Sequence, residues 1–119
     1  VGGTVTPEQV VECGNRWTRW VTDRYPGAAV ASEVPFTWTN DAGQRAEGWL
    51  DQLLSTDRGR IIVDHKTYPG TDPVGHVKEN YLGQMEVYRD ALTAVDGVAP
   101  AAILIHLPLL GKVLEVTLG

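Results

Sequence analysis

Two short apolar runs, Trp49-Leu50-Asp51-Gln52-Leu53-Leu54 and Ile61-Ile62-Val63-Asp64, stand on either side of the polar stretch Thr56-Asp57-Arg58-Gly59. Strands rich in aliphatic and β-branched residues, joined by a short loop that ends in glycine, read as a β-hairpin. Arg45 to Ser55 and Arg60 to Thr67 are therefore expected to be consecutive strands. Each run also carries an aspartate, and the second continues directly into His65 and Lys66. Charges inside apolar strands ordinarily cost stability, so their presence here calls for a reason.

The segments around the hairpin complete an α/β (α+β) pattern. Thr6-Pro7-Glu8 offers a helix N-cap, a proline at the first helical position and an acid in the first turn, and Val10, Cys13, Trp17, Trp20 and Val21 follow at helical spacing. That helix ends near Tyr25-Pro26-Gly27. Ala28 to Thr39 alternates as a strand, and Asn40-Asp41-Ala42-Gly43 turns the chain into the hairpin. Residues from His76 to Val95 regain helical spacing until Asp96-Gly97, and Ala101 to Leu107 and Val113 to Leu118 read as two last strands. The predicted order is αβββαββ, a mixed central sheet of five strands flanked by helices.

A chain of 119 residues is the size of one domain, and its 43% hydrophobic and 21% charged content is that of an ordinary globular protein. No apolar run reaches the roughly 20 residues that span a bilayer. The single cysteine, Cys13, excludes an internal disulfide and is expected to be a packing residue, which fits a reducing cytoplasm. A net charge of -5 leaves little cationic surface for phosphates, so the domain alone should hold DNA weakly. The opening VGGTVTPEQ reads as an internal edge, so the chain is expected to be a piece of a longer protein.

The hairpin's charged residues suggest a metal site. Side chains alternate along a strand, so Trp49, Asp51 and Leu53 are expected on one face, and Ile62, Asp64 and Lys66 on one face of the next strand. A four-residue loop with Gly59 in its left-handed last position pairs Ser55 with Arg60 and sets Asp51 opposite Asp64; a three-residue loop sets Asp51 opposite His65 instead. Opposed carboxylates repel and resist burial unless a cation compensates them. Mg²⁺ suits such a pair, because it takes oxygen ligands and is usually held by one or two carboxylates plus substrate phosphate. The backbone carbonyl of His65 offers a third ligand, and Lys66 could hold a water or offset phosphate charge, a layout for phosphodiester hydrolysis. An Asp-x-Lys triplet alone is usually a half-exposed face with a weak ion pair. Here both acids follow strongly apolar residues on consecutive strands.

Four blocks, Ser32-Glu33-Val34-Pro35-Phe36, Glu47-Gly48-Trp49-Leu50-Asp51, Ile61 to Thr67, and Tyr81 to Leu92, resemble in order the PD-(D/E)xK nucleases, within them the RecB-like domains that end UvrD-type helicases such as RecB and AddA. The resemblance implies a restriction-endonuclease-like fold and a Mg²⁺- or Mn²⁺-dependent deoxyribonuclease of the exonuclease V type. Its implied partners are DNA, helicase motor domains in the same chain and a second helicase-nuclease subunit, in double-strand break repair and recombination. It also implies that Asp51 and Asp64 are metal ligands, that Lys66 is the catalytic lysine, and that Gln84 and Tyr88 form a helix motif facing the active site and DNA. The spacing of four does place Gln84 and Tyr88 on one side of a helix, with Tyr81 a turn earlier as a DNA contact or a core residue. Glu33 matches a Glu-x-Pro-Phe block, where it either touches metal through water or orders the first strand.

The chain departs from the family in two ways. Relatives carry a further metal-ligating histidine or glutamate on an upstream helix; here that helix offers only Glu12, and the three histidines His65, His76 and His106 all come later. Either the ligand lies upstream of residue 1, the reading we favour, or Glu12 replaces it, or the site is incomplete. Relatives with an iron-sulfur cluster use four cysteines, which a chain with one cysteine excludes. The alternative to an enzyme is a catalytically incomplete nuclease-fold module that guides DNA or mediates subunit contacts.

Overall fold

The structure, a computed structural model, describes residues 7–67 and 70–117, with side chains from residue 16 onward. The Thr6 cap, the Glu12 and Cys13 side chains and Leu118 lie outside the described residues. Five strands form one sheet in the order β1(Ala29–Thr39), β2(Arg45–Thr56), β3(Gly59–His65), β4(Ala102–Leu107), β5(Lys112–Glu115). All neighbours are antiparallel except β3 and β4, which are parallel. A parallel pair needs a crossover connection, supplied here by α2(Pro73–Asn80) and α3(Leu82–Asp96). The helix α1(Pro7–Arg24) precedes the sheet.

Helices cover both faces. Trp17 and Val21 of α1, one turn apart, are buried against Leu54, Ile61, Val63 and Leu104. Val77 of α2 and Met85, Tyr88 and Leu92 of α3 are buried on the other face against Leu50, Leu53, Ile62, Ile103 and Ile105. β3 is thus covered on both sides, which is why Ile61, Ile62 and Val63 form an unbroken apolar run. Burying three such side chains contributes roughly 5–9 kcal/mol before chain entropy is counted.

Three features differ from the sequence expectation. The hairpin turn has two residues, not four: Thr56 pairs with Gly59, and Gly59 takes a positive φ of 126°, which glycine tolerates. Register is unchanged, because pairing Thr56 with Gly59 also pairs Ser55 with Arg60. The single helix expected from His76 to Val95 is two, broken at Tyr81 (φ -123°, ψ -11°), which ends α2 and begins α3. Helical periodicity survives that break, since Tyr81 N–H still donates to Val77 O and Met85 N–H to Tyr81 O; Gly83, a poor helix former, stands just after it.

The third concerns β2. Leu50 and Leu53 both pack on the α3 face, while Leu54 packs under α1. Residues three apart cannot share a face of a regular strand, so alternation resets between them. The reset lies at Asp51, whose opposite number on β1 is Glu33, a non-glycine residue at φ 52°. Pairing skips both residues, from Ser32–Gln52 to Val34–Leu50, so neither strand slips. Trp49 therefore does not share a face with Leu53 as expected: Leu50 turns inward and Trp49 stays 62% exposed.

Candidate active site

β2 pairs with β3 only as far as Gln52 opposite Val63; one step further in the same register, where the ladder has ended, Asp51 stands opposite Asp64. The N–H of Lys66 turns toward β4 and donates to His106 O at 2.9 Å. Successive N–H groups alternate sides, so the His65 N–H faces the departing β2. Asp51 takes the place of the missing backbone acceptor: its Oδ2 accepts the His65 N–H at 2.7 Å. The same parting of strands that opens the sheet thus draws the Asp51 carboxylate across to β3.

Asp64 is 3% exposed at the end of the most buried strand. Lys66 Nζ lies 3.0 Å from its Oδ2. The contact is an ion pair without hydrogen-bond alignment, and Oδ2 is left buried with no hydrogen-bond donor. Burial raises the Asp64 pKa to about 6, helped by a hydrogen bond to Asp51 that only the protonated acid can donate and opposed by Lys66. Two carboxylates thus face one ammonium.

Lys66 is held from two further directions. Nζ donates to Gln84 Oε1 at 3.1 Å and sits 4.5 Å above the centroid of the Tyr81 ring. Tyr88, one turn beyond Gln84, is buried: its ring packs edge-on against Phe36 at 5.3 Å. Burial, then Asp64, then Asp51 push the Tyr88 hydroxyl up to about 12, so it senses both carboxylates from within the core. Asp51, Asp64, Lys66, Gln84, Tyr81 and Tyr88 therefore come together. Glu33 does not complete a three-acid cluster, since among the described residues no three His, Cys, Asp or Glu side chains converge.

Some residues at the site carried no signal in the sequence. On the α1 side of β3, the ring Nδ1 atoms of His65 and His106 are 2.9 Å apart, so one ring carries the proton there and the other accepts it. Trp17 stacks on His106 at 4.4 Å and its Nε1–H donates to Gln52 Oε1 at 2.6 Å. Burial lowers both histidine pKa values, that of His106 to about 4. This cluster clamps the ends of β3 and β4 where Asp64 and Lys66 emerge. A cleft of about 360 Å³ lined by Arg16, Trp20 and His106 also lies on this face, away from the carboxylates.

A divalent cation fits the carboxylate side. The buried Asp64 Oδ2 has Lys66 as ion-pair partner but no aligned hydrogen-bond donor, and Asp51 and Asp64 leave one negative charge beyond what Lys66 offsets. Two carboxylates and the His65 carbonyl suit a hard ion that keeps water and phosphate in its remaining positions.

Known proteins share this pattern. Over 71 residues the chain is 34% identical to an ATP-dependent helicase/nuclease protein of Limosilactobacillus reuteri subsp. reuteri (strain JCM 1112), a match covering 55% of this chain and 5% of that protein. The sequence profile described as "PD-(D/E)XK nuclease superfamily" matches residues 6–113, from the first helix through the fifth strand and across every residue gathered around Asp64. The fold, the paired aspartates at the parting of β2 and β3, and a match over nearly the whole chain place it together: the chain belongs to the PD-(D/E)XK nuclease superfamily.

Proposed function

We propose that this chain is the metal-dependent DNA nuclease module of a helicase-nuclease, acting in double-strand break repair and recombination in the cytoplasm. The observation that carries the reading is the buried Asp64 oxygen with no hydrogen-bond donor, set beside Asp51 and 3.0 Å from Lys66 Nζ. A structural module gains nothing from two opposed acids, one of them buried, that share a single ammonium, an arrangement that costs stability. Asp51, Asp64 and the His65 carbonyl would hold Mg²⁺ or Mn²⁺. The ion, when bound, would offset charge on the scissile phosphate and make a neighbouring water more acidic.

The protein's own contributions follow from its side chains. Lys66, fixed by Gln84 and the Tyr81 ring, presents an ammonium that orients the attacking water and offsets charge gathering on the phosphate. Asp51 both aligns with Asp64 and ties itself to the His65 N–H, which keeps the pair in register where the ladder has stopped. Gln84 is exposed beside Lys66, which supports a role for it in meeting the DNA backbone. With a net charge of -5, most of the affinity for DNA would come from motor domains and a second subunit. The name of the helicase/nuclease relative supports that arrangement.

The test is cleavage of linear DNA with Mg²⁺ or Mn²⁺, alongside Asp64→Asn and Lys66→Ala. Cleavage by the unaltered chain that falls at least 100-fold in both variants, with circular dichroism unchanged, supports the reading. Cleavage equal in all three refutes it.

A further inference from the structure

Tyr81 does more than mark the break between α2 and α3. Its ring lies face-on to Lys66 Nζ at 4.5 Å, and its hydroxyl lies 3.2 Å from His76 Nε2. The His76 ring meets the Tyr81 ring nearly perpendicular, at 80° and 5.3 Å between centroids. Asn80, one turn along α2, donates from Nδ2 to His76 O at 2.8 Å, which fixes its amide, and the same nitrogen lies 3.3 Å from His76 Nδ1. A neutral imidazole that accepts at Nδ1 carries its proton on Nε2 and donates it to Tyr81 Oη. The contacts run in one line from Asn80 through His76 and Tyr81 to Lys66.

Lys66 has need of such a line. It lies one residue past β3, where its N–H still bonds His106 O but leaves the side chain to other restraints, and a lysine ammonium on four methylenes has many rotamers to lose. Asp64 holds it by charge without an aligned hydrogen bond, and Gln84 is itself exposed. The Tyr81 face is the broadest of the three restraints, and a ring attracts a cation only while its face is turned to it.

We propose that His76 and Tyr81 are positioning residues for Lys66: His76 locks the Tyr81 ring, and the ring face holds the ammonium beside Asp64. Neither needs to touch the substrate. This rests on the nuclease reading for its consequence in catalysis, but not for its geometry.

The geometry is tested first, in metal-free protein, by the NMR shifts of the Lys66 Hε protons, which an aromatic face moves upfield. The shift should shrink in both His76→Ala and Tyr81→Phe, each of which removes the hydrogen bond that locks the ring, and vanish in Tyr81→Leu. Lys66 Hε shifts that are the same in Tyr81→Leu as in the unaltered protein overturn the proposal whatever the chain cleaves. If Tyr81→Leu does not fold, Tyr81→Phe with His76→Ala decides it: an Hε shift unchanged in that double variant overturns it equally.

Single-turnover cleavage is read second. Tyr81→Leu should lower kcat about 10-fold, equal to about 1.4 kcal/mol, with KM for DNA unchanged, and Tyr81→Phe should recover only part of the loss, to the level of His76→Ala. A change confined to KM would make Tyr81 a DNA contact and overturn the positioning role. If the shifts behave as expected while the unaltered protein cleaves nothing, the placement of Lys66 stands and the nuclease reading falls.

Discussion

Replacing Asp64 by asparagine should make the metal-free protein more stable at neutral pH, although it removes a residue of the candidate site. The Asp64 carboxyl has a pKa of about 6 against 3.8 for a free side chain. Between those values the native state binds more protons than the unfolded state, so stability falls as pH rises from about 4 to about 6 and stays reduced above it. A shift of that size corresponds to about 3 kcal/mol at 1.36 kcal/mol per unit. Asparagine keeps the shape and removes the charge, but it leaves Lys66 with only Gln84 and the Tyr81 ring. Because the pKa of about 6 already includes the attraction of Lys66, Asp64→Asn should gain up to about 3 kcal/mol at pH 7 and little at pH 4. Unfolding entropy near 2.1 cal/mol/K per residue makes this at most roughly 12 °C in Tm for a chain of this size.

The assay is thermal unfolding in a chelator from pH 4 to pH 8. His106 titrates in the opposite sense: its pKa falls to about 4 from 6.5, so its contribution is lost as pH drops from about 6.5 to about 4. The two slopes nearly cancel in the unaltered protein, whose Tm should change little from these groups. In Asp64→Asn only the histidine slope remains, so the Tm difference between the two proteins should grow from pH 4 to about pH 6 and level off above it. A difference that does not vary with pH, or an asparagine variant less stable at pH 7, would refute the claim that Asp64 is buried at a cost.

Three further outcomes follow from the same structure. Mg²⁺ or Mn²⁺ should raise the Tm of the unaltered protein in a saturable way, by about 2.7 kcal/mol of stability at 100 times the Kd, and should leave Asp64→Asn unmoved; equal shifts in both would place the ion elsewhere. His106→Phe should make Tm rise as pH falls from 7 to 4.5, because a ring that stacks on Trp17 is kept while the acid-sensitive group is gone and the opposing Asp64 slope is left alone; a Tm as flat over that range as in the unaltered protein would show that His106 does not titrate there. Met85→Ala, at a fully buried position of α3 between Tyr88 and Ile62, should cost about 2–5 kcal/mol in chemical denaturation, and less than 1 kcal/mol would mean that α3 is not seated on the sheet.

The hairpin and its register were legible in the sequence because they depend on neighbours: Ser55 and Arg60 flank a short polar loop, and a turn of two or of four residues centred there gives the same pairing. The opposition of Asp51 and Asp64 was one of two registers the sequence left open, and the pairing of Thr56 with Gly59 excludes the three-residue loop that would have set Asp51 opposite His65. The reset of alternation at Asp51 was not legible, since it depends on Glu33 adopting φ 52°, which glutamate rarely does and no local pattern announces. The break at Tyr81 escaped for a similar reason, because helical periodicity runs through it and what sets the residue apart is its contact with Lys66, fifteen residues earlier in the chain. The His65–His106 pair joins residues 41 apart across a parallel ladder, a pairing that exists only after α2 and α3 have carried the chain back.

The sheet places its costs where its stability is greatest. Asp64 could not stand unpaired on β1, whose residues Ala29 to Glu33 are exposed, because an acid there would simply be solvated and would have no raised pKa. At the end of β3 it follows Ile61, Ile62 and Val63, all 2% exposed or less, whose burial exceeds the roughly 3 kcal/mol that its charge costs. The clamp of His65, His106 and Trp17 on the opposite face then holds the two strand ends fixed while β2 parts from β3 in front of them. A flexible strand end would relieve the strain on Asp64 by letting water reach its free oxygen; a clamped one keeps that oxygen dry and available to a cation. Loosening the clamp by His106→Ala should therefore lower the Asp64 pKa toward its ordinary value. An Asp64 pKa still near 6 in that variant, read from its carboxyl resonance, would show that the two faces of β3 act independently.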